Sequence, residues 1–182
     1  MSGIDIDIKK SENIDLSEND ILRITDNKTH ILTYDQLKNF DNIDDVLGYH
    51  KSVVILYQTT RTEGHWVSLL AYDNNLEFFD PYGYGIDEEL KIIEKIHLKE
   101  KSSGGIPPES PYLLYLINKS NYIIKVNTKQ LQQKSSDINT CGRWVSLRIR
   151  FRDVTLRRFI ELMTKNKYYN GDFFVSALTL LV

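Results

Sequence analysis

The chain has 182 residues, 41% of them hydrophobic and 26% charged. That is enough apolar side chain for one buried core, short for two domains and too apolar for a disordered polymer. A net charge of −2 removes the electrostatic reason for tight nucleic-acid binding, and one cysteine, Cys141, excludes an intrachain disulfide and gives no sign of an oxidising compartment.

In chain order, the polar start (MSGIDIDIKK) lacks the apolar run of a signal peptide, and loose order is expected over residues 1–16. Ser17 is placed to cap a short helix carrying Ile21, Leu22 and Ile24. Thr33 to Gln36 has the spacing of a capping box, with Leu37 and Phe40 following at helical intervals. Ser52 to Tyr57 is a continuous apolar, β-branched run and predicts a buried strand. After a polar turn at Thr59 to Gly64, Trp66 to Tyr72 and Leu76 to Phe79 predict two strands of a hairpin, which Pro81 to Gly85 breaks. Asp87 is placed to cap a helix with Leu90, Ile93 and Ile96 on one side. Ser102 to Pro111 is the most loop-like stretch.

Tyr112 to Ile117 and Tyr122 to Val126 predict two more short strands, and Gln130 to Asn139 a loop. Leu156, Phe159, Ile160 and Met163 lie at i, i+3, i+4 and i+7, which predicts a helix. Asp172 to Val182 reads as a capped helix or a strand, the helix being favoured, and its apolar run from Phe173 to Val182 is too short to span a membrane. Arg143, Arg148, Arg150, Arg152, Arg157 and Arg158 read as a solvated basic face. Strands clustered between helices, without regular βαβ alternation, predict one α+β domain, residues 1–182, built on a mainly antiparallel sheet.

Cys141 carries the chemistry. A nucleophilic sulfur must be held as a thiolate, which a helix N-terminus and a neighbouring histidine favour. Asn139 or Thr140 is placed to cap a helix whose first turn holds Cys141, and Gly142 lets a substrate approach the backbone. Of four histidines, His65 stands out because it opens a strand beside Trp66, an aromatic able to cover a reactive pair. A base needs a group that holds its tautomer. Asp80 ends the hairpin's second strand fifteen residues after His65, a spacing that brings the chain back beside its start. One cysteine and scattered histidines lack metal-ligand spacing, and Gly83-Tyr84-Gly85 lacks the rest of a phosphate-binding fingerprint, so neither metal nor cofactor is expected.

Gly64-His65-Trp66-Val67-Ser68-Leu69-Leu70, then Phe78-Phe79-Asp80-Pro81-Tyr82-Gly83, then Gln133 ahead of Thr140-Cys141-Gly142-Arg143-Trp144, in that order, resemble the adenovirus-type maturation protease and the wider Ulp1-like cysteine protease clan. The resemblance implies a papain-like, adenain-like fold with a mainly antiparallel sheet flanked by helices. It implies Cys141 as nucleophile, His65 as general base, Asp80 as its orienter and Gln133 as oxyanion-hole donor. Gln133 lies eight residues before Cys141, a longer spacing than the clan's, and Gln132 is its rival. Trp66 is implied as a wall of a narrow slot for substrate glycines. A buried helix is implied after Cys141, although Leu147 to Arg152 alternates with strand period. Clan members activated by a disulfide-linked peptide and by DNA use features this cysteine count and charge do not supply.

Two activities use such a slot: maturation of viral precursor proteins near Gly-Gly sites, and removal of ubiquitin-like modifiers. The Thr-Cys-Gly-Arg-Trp context and compact length favour the first. The expected substrates are capsid or core precursors, the expected setting the virion and host-cell cytoplasm, and the expected state a monomer without membrane or nucleic-acid partners. The alternative from another class is a capsid-associated binding module with a vestigial site. Gly104-Gly105 reads as a flexible turn, with self-cleavage as a lesser reading.

Overall fold

The computed structural model describes residues 3–60, 63–99 and 110–180, with residues 95–99 described by their backbone alone. Gly104-Gly105 lies outside the described residues. The elements are α1 (Gly3–Ser11), α2 (Glu18–Ile24), β1 (His30–Thr33), a 3-10 helix (Tyr34–Asn39), α3 (Ile43–Leu47), β2 (Ser52–Gln58), β3 (Gly64–Tyr72), β4 (Asn75–Phe79), α4 (Glu88–Lys99), α5 (Tyr112–Asn118), β5 (Ile123–Val126), α6 (Cys141–Arg150), α7 (Leu156–Thr164) and α8 (Gly171–Leu180).

The five strands form one sheet in the order β1-β2-β3-β4-β5. Its centre is antiparallel, as expected, with Tyr57 opposite His65 and Ser68 opposite Phe79. Both outer pairs, β1 with β2 and β4 with β5, are parallel. Each parallel pair needs a crossover: the 3-10 helix and α3 supply the first, and α4 and α5 lie within the second.

The runs in β2 to β4 are apolar on both faces because both faces are covered. Val53, Ile55, Tyr57, Val67, Leu69 and Phe78 pack into one core with Leu37, Leu47, Leu113 and Leu116. Val54, Trp66 and Phe79 turn to the other, where they meet Ile21, Trp144, Val145, Leu147, Phe159 and Val175. The α+β architecture of a central sheet flanked by helices is therefore as the sequence predicts.

Three local expectations are corrected. Tyr112 to Ile117 is the helix α5. Leu113, Leu116 and Ile117 are buried while Leu114 and Tyr115 are exposed, which is one-sided helical burial that an unbroken apolar run conceals. The polar first segment, where loose order was expected, forms α1, and Ser11, Glu12 and Leu16 are buried. Asp87 precedes α4, but its carboxylate faces the core. It accepts hydrogen bonds from the Tyr34 and Tyr57 hydroxyls, both at 2.8 Å, and from the Leu114 N–H at 2.9 Å.

Arg143 and Arg148 of α6 are not part of a solvated face, whereas Arg150, Arg157 and Arg158 are exposed. Arg148 is 1% exposed and makes a two-pronged ion pair with the fully buried Glu77 of β4, Nε to Oε1 at 2.5 Å and Nη2 to Oε2 at 3.0 Å. Arg143, also buried, donates to Thr179 Oγ1 on α8 and to the Ser11 carbonyl on α1. Arg148 settles the conflict over residues 147–152. Leu147, Arg148 and Ile149 are all buried, so the arginine between two apolar residues marks an ion-paired core position of a helix rather than the solvent face of a strand.

Removing one partner of a buried pair strands the other charge. Arg148→Ala is expected to lower unfolding free energy by about 3–5 kcal/mol in urea titration, whereas the apolar double replacement Glu77→Leu/Arg148→Met loses much less.

Candidate active site

The hairpin brings together the first two site residues. The Ser68–Phe79 register returns Asp80, just past the end of β4, to the start of β3, and His65 Nε2 lies 2.9 Å from Asp80 Oδ1. Both are buried, at 5% and 1% exposure. The same oxygen is also held by its own turn, because the Tyr82 N–H donates to Asp80 Oδ1 at 2.7 Å. The Gly83 N–H closes that turn onto the Asp80 carbonyl at 2.9 Å. Gly83 has φ of 74°, and a Cβ there would come within 2.7 Å of the Lys129 backbone, so both conformation and space require glycine.

Cys141 is the first residue of α6 and a free, buried cysteine. Its thiol therefore sits where the unpaired N–H groups and dipole of a ten-residue helix favour an anion. Thr140 holds the cap position, but its hydroxyl does not cap. It donates to Asp172 Oδ1 at 2.5 Å. The same oxygen accepts from Trp144 Nε1 at 2.9 Å, and Oδ2 accepts from the Gln133 N–H at 2.9 Å. The buried Asp172 carboxylate of α8 thus ties the loop before Cys141 to the helix that follows it.

His65 interacts electrostatically with Cys141 as well as with Asp80. Burial alone disfavours an imidazolium, but the hydrogen bonds and charges of Asp80 and Cys141 push the ring up to about 10. With Nε2 committed to Asp80, Nδ1 is the nitrogen left for the sulfur. Tyr82 stacks on the imidazole, with ring centroids 4.5 Å apart and planes 17° apart, which fixes the ring plane and shields one face from water.

A cleft of about 580 Å³ opens over this pair, lined among others by Cys141, His65, Trp66, Tyr82 and Gln132. Gln133, the expected oxyanion donor, is exposed and does not line it. Gln132 does. Its side chain is 1% exposed, and Nε2 donates to Tyr82 Oη at 3.2 Å and to the Ile138 carbonyl at 3.0 Å. The cause lies in the backbone. The Leu131 and Gln132 N–H groups both donate to the Pro81 carbonyl, at 2.9 and 3.0 Å, so the Asp80 turn presents Gln132 inward and leaves Gln133 outward.

Gly142 also serves a different need from the expected one. A Cβ there would meet Leu16 Cβ at 3.0 Å and Trp66 Cδ1 at 3.4 Å. The missing side chain therefore seats Leu16 between α6 and Trp66. Trp66 is buried beside Leu16 and Cys141 and lines the cleft.

Sequence reasoning missed Tyr82, Asn127 and Asp172. Tyr82 was legible as part of a breaker and of the Phe-Asp-Pro-Tyr-Gly run, without a role of its own. Asn127 Nδ2 donates to the Asp80 carbonyl at 2.8 Å, and Asp172 acts on partners 28 to 39 residues away. No local pattern reports such contacts. Among the described residues, no group of His, Cys, Asp and Glu is arranged to hold a metal ion, and no helix is long and apolar enough to cross a membrane.

No family model matches the chain. Protein V9 of the Sputnik virophage is 33% identical over 178 residues, which span 96% of this chain and 99% of that protein. A crystal structure of the ASFV pS273R protease superposes with a TM-score of 0.48 at 14% identity, covering 93% of this chain and 68% of that one.

Asp172→Ala removes the shared acceptor of three donors, two of them side chains. It is expected to cost roughly 3 kcal/mol of stability and to slow alkylation of Cys141 by iodoacetamide. Thermal unfolding and labelling rate check the two effects, and Asp172→Asn is expected to fall between wild type and alanine.

Proposed function

The chain belongs to the same family as protein V9 of the Sputnik virophage, and we propose that it is a cysteine endopeptidase that matures virion precursor proteins. The observation that carries this reading is the linked set Asp80–His65–Cys141 at the floor of an open cleft, with the Gln132 amide beside it. A ring flanked by Asp80 and Cys141, with its pKa raised to about 10, is suited to an imidazolium–thiolate resting pair, which makes sulfur nucleophilic without a separate activation step.

In this reading, Cys141 Sγ attacks the scissile carbonyl carbon. The Gln132 amide, exchanging its N–H bond to Tyr82 Oη for one to the substrate while keeping the one to the Ile138 carbonyl, and the Cys141 backbone N–H receive the developing oxyanion. Collapse of the tetrahedral adduct breaks the C–N bond, and the His65 imidazolium gives its proton to the leaving amine. His65, now neutral, takes a proton from water as that water attacks the thioester; the C–S bond then breaks, the carboxylic acid product leaves, and the Cys141 thiolate and His65 imidazolium are restored. Asp80 stays ionised throughout and holds the ring orientation.

The virophage relative and the Thr-Cys-Gly-Arg-Trp run, which resembles the maturation proteases of large DNA viruses and virophages such as mavirus, support a substrate among capsid or core precursors. Cleavage is proposed next to Gly-Gly or similar small-residue sites, in the host-cell cytoplasm and the particle, by a monomer. Modifier deconjugation is the other outcome of the test.

Capsid precursors of the same virus are incubated with wild-type protein and with Cys141→Ala, and the products are read by mass spectrometry. Cuts at small-residue sites that vanish in the variant are expected. A ubiquitin-like diglycine probe that labels Cys141 in the absence of such cuts redirects the reading to deconjugation, and silence in both contradicts it. On a cleaved substrate, Gln132→Ala is expected to lower kcat about 100- to 1000-fold, and Gln133→Ala to leave it within about twofold of wild type.

A further inference from the structure

Glu89 is a buried carboxyl that neither the fold nor the proposed mechanism uses. It lies in the first turn of α4, is 6% exposed and lines the same cleft as Cys141, His65 and Gln132. Its Oε2 is buried without a hydrogen-bond partner. Asp87, two residues earlier, is by contrast met by three donors. A buried carboxyl left unpaired is costly. Burial pushes it up, the charge of His65 pulls it down, Asp80 pushes it up again and Lys134 pulls it down.

The rest of the cleft indicates what such a group receives. Asp15, Glu18 and Glu63, all exposed, line its rim, and burial together with the neighbouring Glu63 charge pushes the Asp15 carboxyl up. No lysine or arginine is among the described lining residues. Two cations act on Glu89: His65, already committed to Asp80, and Lys134, whose ammonium stands over the Tyr82 and Tyr84 rings and makes no ion pair with Glu89. A negative rim draws a cation inward, and the unpaired carboxyl at the wall is the place where it is desolvated and paired.

We propose that the cleft contains a subsite for a cationic substrate side chain, lysine or arginine, whose head group is received by Glu89. The assignment of that cation to a polypeptide substrate rests on the protease reading. Exposed rim charges are screened by salt and act over distance, whereas a pair formed at Glu89 is sheltered. The rim therefore contributes capture and Glu89 contributes discrimination.

The test is calorimetric titration of the full chain carrying Cys141→Ala, which cannot turn substrate over. The ligands are matched peptides around a Gly-Gly core, with lysine or its uncharged analogue norleucine scanned along the positions. At one position lysine is expected to bind about tenfold tighter or more, at both low and high salt. Adding Glu89→Gln, whose amide keeps the shape, is expected to bring the two peptides within about twofold.

No lysine preference at any position overturns the proposal, as does a preference that survives Glu89→Gln and disappears in salt, which would belong to the rim. Glu89→Met supplies a second readout. It is expected to unfold at higher temperature than wild type while losing the preference, and a lower unfolding temperature would mark a structural carboxyl and contradict the proposal. Cleavage of the same peptides by the unmodified protein separates this idea from the reading it rests on. Preference in binding without cleavage upholds the subsite and removes the protease, whereas cleavage without preference does the reverse.

Discussion

The hydrogen bond from His65 Nε2 to Asp80 Oδ1 organises more than one ring, because the turn that carries Asp80 also carries the opposite wall of the site. Within four residues, Asp80 holds the imidazole through its side chain, Pro81 accepts the N–H groups of Leu131 and Gln132, Tyr82 covers the imidazole face, and Gly83 closes the turn. A displacement of this turn would move His65 and Gln132 together. The segment is therefore over-determined. Tyr82 N–H, Gly83 N–H and Asn127 Nδ2 all bond back to Asp80, and the close approach of the Lys129 backbone leaves no room for a side chain at Gly83.

The thiol reaches this turn on a helix anchored from three directions. Arg148 pins α6 to the sheet through Glu77, Arg143 joins it to α1 and α8, and Asp172 clasps its N-terminal end. Each anchor is a buried ionised or strongly polar group bonded to more than one partner. Such groups stabilise little beyond an apolar filling, but misplacing one is costly, and that cost fixes where the helix begins. A sulfur that must sit within hydrogen-bonding reach of an imidazole benefits from this kind of determinacy.

Much of this was legible in the sequence where the signal is local. The strands β2 to β4 are apolar runs bounded by turn residues. The spacing of His65 and Asp80 is that of a hairpin, and Leu156, Phe159 and Met163 declare a helix by period. Failures occurred where the deciding contact is remote or the pattern is saturated. The apolar run of α5 hides which residues face inward, and β1 is too short and half-buried to stand out. The choice between adjacent glutamines depends on a carbonyl fifty residues earlier, since the Pro81 oxygen turns Gln132 inward. Gly142 was legible as a close approach, but the group that approaches is the chain's own Leu16.

The account stands most directly on the charge state of His65. Isotope-edited NMR of the imidazole nitrogens across a pH series reads it without any substrate. The account predicts a doubly protonated ring through neutral pH, losing its proton near 10, with the midpoint falling when Asp80 is replaced by alanine. A ring that is neutral at pH 7, with a midpoint at or below the ordinary histidine value of about 6.5, would contradict it, because no standing imidazolium would then hold the Cys141 thiolate.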